Sequence, residues 1–163
     1  MAGTRFDRPG LARIVSGGQT GVDRAALAFG RRTGIPVGGW CPAGGWAEDL
    51  VEPPGVLALF PELRPTPSSD PAERTRWNVR DSDATLVLTR DGVASPGTAL
   101  TVAVAEEIGR SCLVADAGDS PAVRDWLDGF ATAIVLNVAG PRESEAPGIQ
   151  RDAEALLAAV LRA

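Results

Sequence analysis

One glycine-rich segment constrains the fold of this chain more than any other feature: residues 16–21, which read SGGQTG. The segment follows an apolar run at residues 11–16 that reads as a buried strand, and it precedes residues 22–32, whose apolar positions fit one face of a helix. Two adjacent glycines let the backbone turn tightly and let a ligand approach without a Cβ atom in the way. The segment therefore predicts a strand, a turn open to a ligand, and a helix.

The rest of the chain alternates apolar strands with amphipathic helices. Further strands are predicted at residues 35–40, 84–89, 112–116 and 133–138, and further helices at residues 70–79, 98–108, 120–130 and 149–161. Residues 41–69 are rich in proline and glycine and are predicted to be a long irregular loop. This pattern predicts a Rossmann-like α/β three-layer sandwich, with a mainly parallel sheet of about five strands and helices on both faces. We expect residues 1–163 to form a single ligand-binding domain.

Composition excludes several kinds of chemistry. The chain has no histidine, no tyrosine and no lysine, so all sixteen basic residues are arginine. A Ser-His-Asp triad and the usual zinc site need histidine, whereas a Walker A loop and a Schiff base need lysine. The net charge of −5 argues against a nucleic-acid partner, and no apolar stretch approaches the ~18 residues of a membrane span. We expect a cytoplasmic protein without a bound metal, because the first residues lack an apolar signal core and the two cysteines lack metal-ligand spacing.

Polar residues gather where three of the predicted strands end. The first strand leads into residues 16–21, the strand at 84–89 is followed by residues 95–98 (SPGT), and the strand at 133–138 is followed by residues 142–144 (RES). Ligands of open parallel sheets bind beyond the carboxyl ends of the strands. The three exits therefore predict one cleft, with the first and second of these turns as facing walls.

The first turn favours an anion. Thr20 and Gly21 would present free backbone N–H groups at the start of a helix, where the helix dipole attracts negative charge. The alternative is a plain strand-to-helix connection, since glycine is common in turns. The spacing of the glycines does not match G-x-G-x-x-G, so a dinucleotide site is not expected.

The second turn, at residues 95–98, resembles the first because it also combines a glycine with hydroxyl side chains at a helix start. Gly97 would permit close approach, and Thr98 and Thr101 offer hydroxyl groups one helical turn apart. The alternative is that Thr98 only caps the helix. Taken together, two such turns on one sheet favour a ligand more strongly than either does alone.

Two further segments offer charged groups to the same edge. Arg74 and Asn78 are four residues apart and share a helix face, from which Arg74 would hold a phosphate or carboxylate in a forked contact. Arg142 and Glu143 either reach the ligand or form an internal ion pair that caps the last helix, and the sequence leaves both alternatives open.

Several motifs together resemble one family. They are residues 14–27 (IVSGGQTGVDRAAL), 39–42 (GWCP), 74–75 with 77–86 (RT and WNVRDSDATL), 97–101 (GTALT) and 137–144 (NVAGPRES). In this order they resemble the molybdenum carrier family of circularly permuted YpsA-like proteins. The family lies in a Rossmann-like superfamily of nucleotide-ligand sensors, carriers and phosphoribohydrolases of the LOG/lysine-decarboxylase-like kind. The resemblance implies a phosphorylated small-molecule ligand, either nucleotide-like or the molybdenum cofactor, and a homo-oligomer.

One departure from the hydrolases of that superfamily bears on catalysis. Those enzymes carry P-G-G-x-G-T-x-x-E, whereas residues 95–101 read SPGTALT, with Thr101 where the glutamate stands. Carriage or sensing is therefore favoured over hydrolysis. A hydrolase would need Asp23 or Glu143 as a substitute acid, and a scaffold with purely structural glycine turns is the third alternative. The expected ligand-binding residues are Ser16, Gly17, Gly18, Thr20, Gly21, Asp23, Arg74, Asn78, Gly97, Thr98, Thr101 and Arg142.

Overall fold

A computed structural model describes residues 10–161 of the chain. Its strands are β1 (Arg13–Val15), β2 (Val37–Gly38), β3 (Trp40–Cys41), β4 (Arg64–Pro65), β5 (Ala84–Thr89), β6 (Ser111–Asp116) and β7 (Val135–Ala139). Five of them form one parallel sheet in the order β2-β1-β7-β5-β6, whereas β3 and β4 form a separate parallel pair. The predicted parallel α/β sheet of about five strands is confirmed.

Five α-helices cover the sheet in two groups, and each group has its own apolar core. They are α1 (Val22–Thr33), α2 (Pro71–Arg80), α3 (Pro96–Ile108), α4 (Ser120–Asp128) and α5 (Ile149–Leu161). Helix α5 contacts both α1 and α4, and the three helices share the larger core with β1, β5 and β7. Helices α2 and α3 pack together around a smaller core. Within the described residues, no helix has the length and apolar character needed to cross a membrane.

The predicted strand at residues 35–40 is wrong in one respect, because the structure divides it at Gly39. Residues 37–38 pair with β1, and the chain then leaves the sheet so that residues 40–41 pair with β4. Gly39 has φ +127°, and a Cβ there would lie 2.4 Å from the carbonyl oxygen of Ser16. The close passage of β1 therefore sets the break.

The segment at residues 41–69 is more ordered than its composition predicts. It contains two short 3₁₀ helices, at Ala43–Gly45 and Gly55–Ala58, in addition to β4. Val56, Phe60 and Leu63 from this segment pack with Leu27 of α1 and with Cys41 in a third apolar cluster. The prediction of an irregular loop is corrected here, because these apolar side chains fix the segment against α1.

Candidate functional site

The exits of β1, β7 and β5 lie side by side at the carboxyl edge of the sheet, because β7 lies between the other two strands. The segment after β7 contacts both neighbours. The backbone N–H of Glu143 donates to Thr20 Oγ1 at 3.1 Å, and Ser95 Oγ lies 3.3 Å from Glu145 Oε1. Residues 142–145 therefore bridge the two glycine turns, which the sequence predicts to be the facing walls of one cleft.

The first turn is buried and is packed by the protein itself. A Cβ at Gly17 would lie 2.1 Å from Nη1 of Arg74, and a Cβ at Gly18 would lie 2.9 Å from Leu63. Ser16 is also fully buried, and its hydroxyl donates to the carbonyl oxygen of Val138 at 2.6 Å. The space beside the two glycines is thus occupied by the side chains of Arg74 and Leu63. The sequence predicted that a ligand would approach the backbone there.

Three backbone N–H groups around the start of α1 have partners inside the protein. The N–H of Gln19 donates to Asp23 Oδ2 at 3.2 Å, and that of Thr20 donates to Oε1 of Gln19 at 3.0 Å. The N–H of Val22 donates to the carbonyl oxygen of Pro141 at 3.3 Å. The expectation of a free Thr20 N–H is corrected, because the neighbouring glutamine amide reaches it first.

Arg74 and Asp23 form the most deeply buried charged pair at this edge. Nη1 of Arg74 lies 3.4 Å from Oδ2 of Asp23, and the two side chains are only 16% and 5% exposed. Burial raises the pKa of the Asp23 carboxyl above its ordinary value, although the charge of Arg74 and the N–H of Gln19 oppose the shift. Nε of Arg74 is buried and has no hydrogen-bond partner in the described residues. The guanidinium therefore has capacity for a further acceptor.

Asn78 holds the backbone of β3. Its Oδ1 accepts the N–H of Trp40 at 2.7 Å, and its Nδ2 donates to the carbonyl oxygen of the same residue at 3.0 Å. The side chain is buried at 2% exposure. Asn78 thus completes the hydrogen bonding of a strand that has left the main sheet.

The second turn begins α3 two residues earlier than expected, at Pro96. Ser95 is the capping residue, since its hydroxyl accepts the N–H of Thr98, and the Thr98 hydroxyl lies 2.9 Å from the same oxygen. Thr101 is buried and donates its hydroxyl to the carbonyl oxygen of Gly97 at 2.9 Å. Gly97 is exposed, and a Cβ there would have no neighbour within 4 Å. Gly97 and Thr98 therefore present the accessible part of this turn.

Glu48 is a member of this cluster that the sequence analysis missed. Its carboxylate accepts the hydroxyl hydrogens of Thr20 and Ser144 and the backbone N–H of Ser144, and it lies 4.0 Å from Arg142. Burial alone would raise the pKa of this carboxyl, but its bonds with Ser144 and Thr20 outweigh burial and hold that pKa below its ordinary value. An internal anion thus occupies hydroxyl and N–H donors at the exits of β1 and β7.

Glu143 and Arg142 have different surroundings. The carboxylate of Glu143 accepts the N–H groups of Gly148 and Gln150, at 2.5 and 3.0 Å, so Glu143 caps the start of α5. Arg142 is 41% exposed, and its guanidinium lies 5.6 Å from the ring centre of Trp46. Of the pair, Arg142 alone remains open to a ligand.

An apolar pocket lies beside this edge. It has a volume of about 420 Å³, and its lining includes Trp46, Val51, Pro53 and the first residue of α2, Pro71. Among residues 10–161, no three or more Cys, Asp or Glu side chains form a group that could hold a metal ion. Trp46 gives this pocket an aromatic wall, and the same ring lies 5.6 Å from the guanidinium of Arg142.

Comparisons with known proteins give a consistent result. The profile of the Circularly permutated YpsA SLOG family matches residues 14–161. The fold is similar to the crystal structure of the "Putative molybdenum carrier protein" of Syntrophus aciditrophicus SB, with a TM-score of 0.83 and 37% sequence identity. That match covers 96% of this chain and 98% of the other. No curated protein matches the chain.

Proposed function

Because the chain belongs to the circularly permutated YpsA SLOG family, we propose that it binds and carries a phosphorylated small molecule at the carboxyl edge of β1, β7 and β5. The observation that carries this proposal is the buried Nε of Arg74, which lacks a partner in the described residues. A buried guanidinium N–H without an acceptor costs free energy, and phosphate oxygens accept strong charge-assisted hydrogen bonds from arginine.

The proposed phosphate position lies between Arg74 and the exposed start of α3. Gly97 and Thr98 lie at this helix start, where the helix dipole favours negative charge. The N–H of Thr98 is bonded to Ser95 Oγ, so the N–H of Gly97 would be the backbone donor to the ligand. Asp23 would stay at the inner side of Arg74 and keep its guanidinium in place. Arg142 would contact the outer part of the ligand, because it is the more exposed of the two arginines.

The molybdenum cofactor is one ligand that fits these donors. The similar protein of Syntrophus aciditrophicus is named for molybdenum carriage. When bound, such a cofactor supplies a phosphate group together with its metal, and the arginines and hydroxyls of this chain would hold the phosphate. The flat organic part would lie in the pocket beside Trp46, whose indole offers a stacking surface. A nucleoside monophosphate also combines a phosphate group with a flat organic ring, so it is the alternative ligand for this site.

Calorimetric titration of the purified protein tests the proposal. The ligands are molybdenum cofactor, nucleoside monophosphates, inorganic phosphate and molybdate, and the variants are Arg74→Gln and, as a matched control, Arg76→Gln. Arg76 is on the same helix, but it is exposed, and its ion pair in the described part of the chain is with exposed Glu107. Loss of a charge-assisted hydrogen bond should weaken binding about 10- to 100-fold in the first variant and leave the control unchanged. Equal affinity in both variants, or no binding by any ligand, would overturn the proposal.

Hydrolysis of a nucleotide is a second candidate function, and one observation favours it. Asp23 is buried beside Arg74, and burial shifts its pKa upward, in the direction that a general acid requires. Incubation of the protein with nucleoside monophosphates should then release free base, and Asp23→Asn should abolish the release. If no base is released by the unaltered protein, carriage stands alone.

A further inference from the structure

The outer edge of β6 is the longest unpaired strand edge in the described part of the chain. β6 has six residues and ends the main sheet, whereas β2 at the opposite edge has only two. Among residues 10–161, no strand pairs with β6 other than β5. An unpaired edge of this length is a template for another strand unless the protein covers or charges it.

The backbone of β6 offers alternate residues to that outer side. The N–H of Ala117, just after the strand, donates to the carbonyl oxygen of Thr89 in β5 at 2.8 Å. In a parallel pair the residues of one parity bond the neighbouring strand, and those of the other parity point away from it. Cys112 and Val114 therefore direct their N–H and C=O groups outward, whereas the carbonyl oxygen of Asp116 accepts the N–H of Asp119 at 2.9 Å.

The side chains of this edge are apolar in the middle and charged at the two ends. Val114 is 49% exposed, and its neighbours Cys112 and Leu113 are half-buried. The charges are Arg110, immediately before the strand, and Asp116 at its end. Both are exposed. The strand lacks the inward charge, bulge or proline that usually blocks edge-to-edge pairing.

We propose that two copies of this chain pair through β6, antiparallel, so that two five-stranded sheets join into one. A two-fold axis perpendicular to the sheet at Leu113 places Cys112 opposite Val114 of the other copy. The same register places Arg110 opposite Asp116 of the other copy, twice in each dimer. The outward-facing backbones of Cys112 and Val114 meet in this arrangement, as the antiparallel hydrogen-bond pattern requires. Arg110 and Asp116 meet through their side chains, because the N–H of Arg110 and the carbonyl oxygen of Asp116 are bonded within their own chain.

The two charged residues are available for this pairing. Within residues 10–161 the guanidinium of Arg110 makes one hydrogen bond, a 3.4 Å contact from Nη2 to the carbonyl oxygen of Arg80, and its charge helps to lower the pKa of Asp81. The backbone N–H of Arg110 donates to the carbonyl oxygen of Ala105 at 3.0 Å, so only its side chain is offered to a partner. Asp116 accepts the N–H of Gly118 through Oδ1, which leaves its second oxygen to meet a partner. The charge pattern of the edge is thus complementary to itself when the strand direction is reversed.

Charge reversal tests this interface in solution. Sedimentation velocity at high micromolar concentration should give a dimer for the unaltered chain. Arg110→Glu or Asp116→Arg should weaken association at least about tenfold, because each variant places like charges opposite one another twice in the dimer. A mixture of the two variants should restore association as a heterodimer, because opposite charges then face each other at both ends of the paired strands. The double variant should restore the homodimer for the same reason.

A cross-link tests the register itself. Leu113 faces its own copy in a pair without backbone hydrogen bonds, where the Cα atoms lie about 4.5 Å apart, within the range of a disulfide. Leu113→Cys in a Cys112→Ser background should therefore form an interchain disulfide on oxidation, and Val114→Cys in the same background should form little. A monomeric protein, or a dimer that neither charge reversal weakens, would overturn the proposal.

Discussion

Nη1 of Arg74 lies 3.4 Å from Oδ2 of Asp23, at a separation longer than a well-formed charged hydrogen bond. The two groups meet against Gly17, where a Cβ would lie 2.1 Å from the arginine nitrogen and 2.9 Å from the aspartate oxygen. Burial raises the pKa of the Asp23 carboxyl in spite of this neighbour. The arginine is therefore incompletely neutralised by the protein, which is the condition under which it would gain most from a bound anion.

The raised pKa of Asp23 predicts a pH-dependent stability. The folded state binds the Asp23 proton more tightly than the unfolded chain does. Protonated Asp23 therefore contributes its full stabilisation below its ordinary pKa of 3.8. That stabilisation is lost as pH rises through the pKa of Asp23 in the folded state. Asp23→Asn removes the titration. The variant's free energy of unfolding minus that of the unaltered protein should therefore increase from pH 4 upward, as measured by urea denaturation. Exposed Asp91→Asn serves as the control, and a difference that shrinks with pH would contradict the prediction.

Comparison of Gly17→Ala with Gly97→Ala should separate the effect of packing on protein stability from the effect of ligand contact on affinity. The added methyl group displaces the Arg74 guanidinium, so we expect a loss of about 1–3 kcal/mol in stability. Ligand affinity should also fall in Gly17→Ala, because Arg74 is the proposed phosphate contact. Gly97→Ala is the matched control, because its methyl group meets no atom within 4 Å and lies in the first turn of a helix. It should keep or slightly raise the melting temperature, and it should weaken ligand binding only if the ligand touches α3.

The sheet and its helices could be predicted from the sequence because each buried strand is a continuous apolar run and each helix has an apolar face. The division of the second strand at Gly39 could not be predicted in this way. Residues 35–41 are uniformly apolar or glycine, and the break is set by contact with Ser16, which directly follows β1. Local periodicity contains no information about that contact.

Within the candidate site, the sequence located the three strand exits but not how they are filled. Asn78 has the spacing of a ligand clamp, yet its amide bonds the backbone of Trp40, 38 residues away. Glu48 lies in a proline- and glycine-rich segment and meets Ser144 across 96 residues. Such pairs depend on the folded path of a long segment, and no short motif marks them.

Glu48→Gln should loosen the contact between residues 43–50 and the start of α1. The amide keeps one acceptor but loses the charge that strengthens the bonds from Thr20 and Ser144, so we expect a loss of about 1–3 kcal/mol at neutral pH. The pKa of Glu48 is lowered, so this stabilisation is present above its ordinary pKa of 4.5 and is lost as pH falls through its folded pKa. Exposed Glu52→Gln should have no effect at either pH, and thermal unfolding at pH 7 and pH 3 makes the comparison. A loss for Glu48→Gln that is as large at pH 3 as at pH 7 would contradict the assignment.

Glu143→Ala should destabilise α5 rather than abolish a reaction. Both carboxylate oxygens accept backbone N–H groups, from Gly148 and Gln150, at the N-terminal end of α5. Backbone N–H groups in the first turn of a helix otherwise lack partners. Removing this cap should cost about 0.5–2 kcal/mol in thermal or urea unfolding. Glu154→Ala, on the same helix, removes only a 3.5 Å ion pair with exposed Arg32 and should cost much less. Hydrogen exchange at the first turn of α5 should be faster in Glu143→Ala alone. If stability is unchanged while ligand turnover disappears, Glu143 is a catalytic group and the capping assignment is wrong.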